Sequence, residues 1–256
     1  MTRKERYGMA LYKAPVLHNR EAAKDIFIIE VEYHGKNIVP LPGQFFNILS
    51  GAGYDPLLRR PISVGGFEDG RLTFYYKVVG DGTRAMSLLK AGDIIDMMGP
   101  LGSGFDLLPG RSLLIGGGIG IAPLVYLSGA LKNIGGDVSA ILGFAASKDM
   151  YIAGMPGAES VTVFTADGSE GKKGYPTDDP ALISGADQIY SCGPLAMMKN
   201  VAKIAAEARI EAFYSLEEKM ACGIGACLGC ALKTASGMKM VCKDGPVFKG
   251  SDLLWT

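Results

Sequence analysis

Short runs of β-branched and aromatic residues dominate the first hundred positions. Ile26–Tyr33, Gln44–Leu49, Leu72–Val79 and Asp93–Met98 each read as a strand. Turn signals separate them: PLPG at Pro40–Gly43, EDG at Glu68–Gly70 and KAGD at Lys90–Asp93. A short helix is predicted over Thr83–Leu89, after a glycine turn. Strands of this length and punctuation predict an antiparallel barrel or sandwich. The rhythm changes near Arg111. Leu113–Ile115, Val138–Gly143, Val161–Thr165 and Gln188–Ser191 read as strands, and Leu124–Asn133 and Leu195–Ala208 as helices. That alternation implies parallel pairing in a doubly wound α/β domain. In the second helix Met197, Val201, Ile204 and Ala208 recur at helical spacing and predict its core-facing stripe. The last forty residues, Tyr214–Thr256, show little periodicity. The expected divisions are 1–105, 106–212 and 213–256, giving a multidomain α+β chain.

Composition narrows the class. Lysines plus arginines number 26 and aspartates plus glutamates 26, so net charge is zero and the basic excess of a nucleic-acid binder is missing. At 48% hydrophobic and 20% charged, the chain can fill real cores. Its 36 glycines fall in short clusters without a period, which predicts many backbone-lined loops. The first nineteen residues have charge but no apolar leader core. Twenty uncharged residues, SLLIGGGIGIAPLVYLSGAL, could span a bilayer by length, but glycines and Pro123 break their middle. The expectation is a cytoplasmic protein with no membrane segment and no nucleic-acid partner.

The cysteines carry the sharpest chemistry. Cys192 stands apart, and Cys222, Cys227, Cys230 and Cys242 lie within 21 residues. Spacings of four, two and eleven residues match plant-type [2Fe–2S] ligation, where small intervening residues let the backbone aim N–H groups at sulfur. Structural zinc more often takes two separated pairs or a histidine, and His18 and His34 are both remote. A disulfide scaffold would spread its pairs more widely. The tail is too small for a large core, so bound material should hold it together.

Two further groups of residues could hold phosphates. GGGIGIAP (Gly116–Pro123, including Gly117, Gly118 and Gly120) follows a predicted strand and opens a helix, where backbone approaches a pyrophosphate closely. Cys192, Gly193 and Pro194 end another strand in the same way. Either turn could also serve packing alone, and Cys192 could be a small buried residue. In the β region, Arg60-Pro61-Ile62-Ser63 supplies a planar guanidinium, and Gly82-Thr83 opens the short helix; taken alone, these read as an arginine beside a bulged strand and a helix cap.

In this order, the motifs resemble the ferredoxin-reductase-like flavoproteins from residue 1 to about 210. The resemblance implies a barrel that binds FAD through Arg60, Pro61, Ile62, Ser63, Tyr75, Tyr76, Lys77, Gly82 and Thr83. It also implies a second domain that frames NAD with Gly116–Gly120 and Cys192–Pro194. Asp167, in the TADGS segment after a strand, could border the adenosine end and favours NAD, because a 2′-phosphate would be repelled. Ile62 in RPIS, with CGIGACLGC and VCKDGPVF, looks like one subfamily: the electron-transfer subunits of NAD-dependent (B-type) dihydroorotate dehydrogenases. That likeness implies a [2Fe–2S] lobe and a flavin-containing catalytic subunit as partner, in a hetero-oligomer of heterotetramer type.

The cofactor set has its own logic. Nicotinamide passes hydride, a cluster takes one electron at a time, and a flavin does both. A chain with all three should therefore exchange electrons with another protein and needs no acid or base of its own. Two other readings share parts of this pattern. One is a related NAD(P)H-dependent ferredoxin or sulfur-compound reductase subunit; the other is a non-redox protein with a zinc-clamped tail.

Overall fold

Six strands close the N-terminal barrel: β1 (Ala10–Ala23), β2 (Ile26–Glu32), β3 (Phe45–Leu49), β4 (Arg60–Glu68), β5 (Arg71–Lys77) and β6 (Ile94–Leu101), with α1 (Asp81–Ser87) between the last two. They were resolved in a computed structural model that describes residues 9–35, 38–49, 57–152 and 154–255. The leader reading rests partly on residues 1–8, which lie outside that set. Around the barrel the order is β1-β2-β5-β4-β3-β6, every pair antiparallel. Alternation fills it: Leu72, Phe74 and Tyr76 of β5 point inward, while Thr73, Tyr75 and Lys77 face out. Ile29, Val31, Phe46, Ile48 and Val64 meet them inside. The sequence pattern did not mark β1, because only Ala14 and Val16 on that long strand are buried.

The second region is a sheet of β7 (Arg111–Gly117), β8 (Asp137–Phe144), β9 (Ser160–Thr165), β10 (Lys172–Lys173), β11 (Gln188–Cys192) and β12 (Glu211–Ser215). Helix α2 (Ala122–Asn133) follows β7, and α3 (Leu195–Ala208) follows β11. The order is β10-β9-β8-β7-β11-β12, all parallel, so the winding reverses between β7 and β11. Leu114, Ala140 and Leu142 pack with Leu124, Leu127 and Leu131 of α2 on one face. Leu113, Ile115 and Ile141 pack with α3 on the other. Replacing Leu127, which is fully buried, by alanine would cost about 2–5 kcal/mol through the cavity left behind.

One stripe needs correction. The core-facing residues of α3 are Met198, Val201 and Ala205, while Met197 and Ile204 are half-buried and Ala208 is exposed. Val201 is buried as predicted, and Met197 and Ile204 pack at the edge of the same core, while Met198 and Ala205 lie directly over the sheet.

The C-terminal lobe holds the cysteine loop, a hairpin of β13 (Ala231–Thr234) and β14 (Gly237–Met240), and the short α4 (Val241–Asp244). It ends in β15 (Val247–Lys249), which pairs antiparallel with β12 and becomes the sheet's seventh strand. Cys230, Val241, Cys242 and Leu253 share one apolar core with the α3 face. The twenty-residue uncharged run is β7, a glycine turn and most of α2. Among the described residues no helix is long and apolar enough to cross a membrane.

Candidate functional site

Strands β4 and β5 and the start of α1 bound a cleft of about 370 Å³. Arg60, Pro61, Ile62, Ser63, Tyr75, Tyr76, Lys77, Gly82 and Thr83 all line it. The Arg60 guanidinium donates to the Leu58 carbonyl and lies across Gly82, where a Cβ would fall 2.0 Å from Arg60 Nε. Glycine there lets a fixed cation stand beside a helix start, an arrangement suited to a phosphate. Two of the predicted side chains have other work. Thr83 Oγ1 accepts from the Val79 and Gly80 N–H groups (2.9 and 3.2 Å) and donates to the Gly80 carbonyl, so it caps α1. Tyr76 is 1% exposed, stacks on Phe27 and donates to Asn19 Oδ1 at 3.0 Å, so its ring belongs to the barrel core.

Tyr75 faces outward and meets the ring of Tyr151 at 5.6 Å. Tyr151 in turn donates to the Gly118 carbonyl at 3.2 Å, which joins the barrel to the glycine loop. Burial raises the Tyr75 phenol and holds Tyr151 protonated. Gly65 makes room for Tyr75, since a Cβ there would come within 2.4 Å of the ring. No motif pointed to Gly65.

A second cleft, about 550 Å³, opens where the sheet's winding reverses. Ligands bind at such switch points because the two loops diverge there. Gly117, Gly118, Gly120, Gly193 and Pro194 line it. The two loops touch backbone to backbone: a Cβ on Gly120 would lie 2.5 Å from Gly193 Cα. Gly118, at φ +53°, has open space where a side chain would be. Gly116 and Cys192 are buried beneath the loops. Gly116 lies against Ile121, and burial raises the Cys192 thiol far above its ordinary range. Asp167 follows β9 on the far side of the sheet and accepts from the Ser169 N–H and hydroxyl (2.9 and 2.6 Å), which lowers its carboxyl.

The two clefts share a wall formed by Lys77, Ile119, Leu216, Glu217 and Glu218. Met220 and Pro246 of the C-terminal lobe reach the first cleft, and Leu232, Leu253 and Trp255 reach the second. Apart from Lys77 and Ile119, which lies within the Gly116–Gly120 segment, sequence reasoning missed these residues, because no local motif says which loop meets which cleft.

The cysteine loop collects N–H donors. Ile224, Ala226 and Cys227 donate to Cys222 Sγ (3.5, 3.3 and 3.4 Å), Gly225 to Cys242 Sγ (3.1 Å) and Cys242 to Cys230 Sγ (3.4 Å). All four thiols are free. Burial is the largest single effect on Cys222 and raises it, but the N–H donors and the Cys227 thiol together outweigh it and bring its pKa down to about 6. Burial, and then Cys230 beside it, pushes Cys242 up to about 12. The Cys222 thiol interacts with that of Cys227, and the Cys242 thiol with that of Cys230. Four cysteines whose sulfurs collect backbone N–H donors have the donor chemistry that a [2Fe–2S] centre uses.

A closed barrel with an arginine-edged cleft, abutting the switch-point crevice of a doubly wound domain, defines a ferredoxin-reductase-type flavoprotein. Solved structures agree. A chain of an NADH-dependent reduced ferredoxin–NADP oxidoreductase, from work on flavin-based electron bifurcation, superposes with a TM-score of 0.85 at 31% identity, over 95% of this chain and 90% of that one. The Amycolatopsis cytochrome P450 reductase shares the fold at a TM-score of 0.65 and 24% identity, over 80% and 68% of the two chains. Residues 217–254 match the iron–sulfur cluster binding domain of dihydroorotate dehydrogenase B. The electron transfer subunit of dihydroorotate dehydrogenase B (NAD(+)) from Caldanaerobacter subterraneus is 42% identical over 95% of this chain and 98% of its own length. Its counterpart from Fusobacterium nucleatum is 37% identical over 96% and 99%. The chain belongs to the family of dihydroorotate dehydrogenase B electron transfer subunits.

Proposed function

We propose that this chain carries electrons from a dihydroorotate-oxidising flavoprotein subunit to NAD⁺, serving pyrimidine biosynthesis in the cytoplasm. Arg60, Pro61, Ile62, Ser63, Tyr75, Lys77 and Gly82 would hold FAD. Gly117–Gly120, Gly193 and Pro194 would hold NAD, and Cys222, Cys227, Cys230 and Cys242 the [2Fe–2S] centre. When bound, the flavin exchanges hydride with nicotinamide and single electrons with the cluster. The chain's own residues bind and orient. Arg60 offsets phosphate charge, Tyr75 fixes one wall of the cleft against Tyr151, and the loop amides offset negative charge on the sulfurs.

The observation that carries this reading is the shared wall between the two clefts, with the cysteine lobe reaching both. Ile224 and Leu228 stand exposed beside the cysteines, 43% and 63%, and offer an apolar face to the catalytic subunit in a hetero-oligomer. A related reductase that draws on ferredoxin is the second reading, favoured by the 31%-identical oxidoreductase. The test separates them by partner. The chain alone should oxidise NADH with artificial acceptors and leave dihydroorotate untouched. Adding the catalytic subunit should confer dihydroorotate-dependent NAD⁺ reduction. Reduction of NAD⁺ by reduced ferredoxin, with no gain from that subunit, would favour the second reading.

A further inference from the structure

The barrel leaves one buried amide without a partner. Asn47 interrupts the apolar run FFNIL of β3 and is 1% exposed. Its main-chain carbonyl accepts from Arg59 Nη1 at 3.4 Å. Neither Nδ2 nor Oδ1 has a hydrogen-bond partner among the described residues. A buried amide without partners bears its full desolvation cost, so natural cores rarely keep one unless something satisfies it. Asn47 also meets the cysteine loop, beside Leu101 of β6. A Cβ on Gly223, the residue after Cys222, would fall 2.1 Å from Asn47 Nδ2. Across the sheet Asn47 pairs with Pro61, which lines the arginine-edged cleft. The amide therefore stands between that cleft and the first cysteine of the loop.

We propose that Asn47 Nδ2 donates a hydrogen bond to a sulfur of the iron–sulfur centre, at Cys222 or at a neighbouring sulfide, and so raises the centre's reduction potential. This rests on the reading of the four cysteines as [2Fe–2S] ligands. One-electron reduction adds negative charge that spreads over the sulfurs. Both states carry negative charge, and an N–H donor stabilises the more negative one more, so it favours the reduced centre. The loop amides do this from within the lobe; Asn47 does it from another domain, 175 positions earlier in the chain. That ties the potential to how the barrel and lobe are docked. A trapped water is the competing partner, but it would need two to four polar neighbours and room of its own, and Gly223 closes one side.

Asn47→Leu keeps the volume and removes the donor. In the complete protein, iron, sulfide and FAD contents should match the unsubstituted chain. An EPR-monitored redox titration should then show the centre harder to reduce by about tenfold in its one-electron equilibrium, or 59 mV, with the flavin's potential unmoved. A full centre with an unchanged potential overturns the proposal. The unsubstituted protein gives a measurement that does not depend on the variant folding. With asparagine labelled by nitrogen-15, pulsed EPR of the reduced centre should show a coupling to the asparagine side chain, and its absence rejects Asn47 as donor. Anaerobically prepared protein that lacks iron and sulfide would instead overturn the cluster reading, and this proposal with it.

Discussion

The barrel and the cysteine lobe are held together by different means. The barrel closes on its own core, where Ile29, Phe46, Ile48, Val64, Leu72 and Phe74 are at most 0% exposed. The lobe has no separate core, since Cys230, Val241 and Cys242 pack into the α3 face of the neighbouring sheet. Its loop also turns through the left-handed region three times, at Gly223, Gly225 and Leu228 (φ +72°, +79° and +59°). For Leu228 that conformation costs about 1–2 kcal/mol, and the side chain is 63% exposed and recovers little by packing. Apolar burial specifies the first region. The second needs its thiolates drawn together by something bound.

The largest effect should come from a cysteine. Cys230→Ser or Cys227→Ser should remove or destabilise the centre and abolish dihydroorotate-dependent NAD⁺ reduction, while FAD stays on the barrel and most NADH–acceptor activity survives. Iron and flavin contents, measured beside both activities, check this. Loss of flavin along with iron would show that the barrel does depend on the lobe, and full coupled turnover would show that the centre is no relay. Next is Arg60→Ala. A charge-assisted phosphate contact is worth about 1.5–3 kcal/mol, so FAD affinity should fall by about one to two orders of magnitude while the barrel stays folded. Flavin retained fully through dilution and gel filtration would break the assignment.

A third effect probes where the lobe meets the nucleotide cleft. Trp255 lines that cleft and packs edge-on against Tyr214, ring centroids 4.7 Å apart. It is the chain's single tryptophan, so its emission reports on one place. NAD⁺ should quench it, and Trp255→Ala should weaken NAD⁺ binding by a few-fold, in line with an aromatic contact of about 0.5–1.5 kcal/mol. Unchanged emission at saturating NAD⁺ would remove Trp255 from the site.

Much of this was legible in the sequence because its signals are local. The x4, x2, x11 cysteine spacing, RPIS at Arg60–Ser63 and the glycine loop after β7 each need only a few neighbouring residues. What was not legible depends on packing between distant segments. Strand β1 carries charges along its solvent face and hides its period. Helix α3 shows apolar residues at both 197 and 198, and only the sheet beneath decides which faces in. Tyr76 beside Tyr75 reads as a pair, yet strand alternation sends one ring into the core and the other to the cleft. Gly65, Asn47 and Trp255 gain their places only once β5, the cysteine loop and the sheet are brought together.

The smallest predicted effect concerns Glu217, in the wall both clefts share. Glu217 is exposed at the rim of the cleft, yet desolvation there raises its carboxyl above the ordinary value. A folded-state pKa above the unfolded one means that folding favours the protonated form. The favourable difference is fully present below the ordinary glutamate range, about pH 4.3, and is lost as pH rises through the raised value. At neutral pH the carboxylate is therefore slightly unfavourable to the fold, by an amount that solvent screening of an exposed group keeps small. Glu217→Gln should raise the Tm of cofactor-free protein slightly at pH 7 and leave it unchanged at pH 4. Equal shifts at both pH values would mean that the glutamine repacks the wall and the charge is irrelevant. A gain confined to neutral pH would mean that the chain tolerates an unfavourable carboxylate where its two cofactor clefts meet.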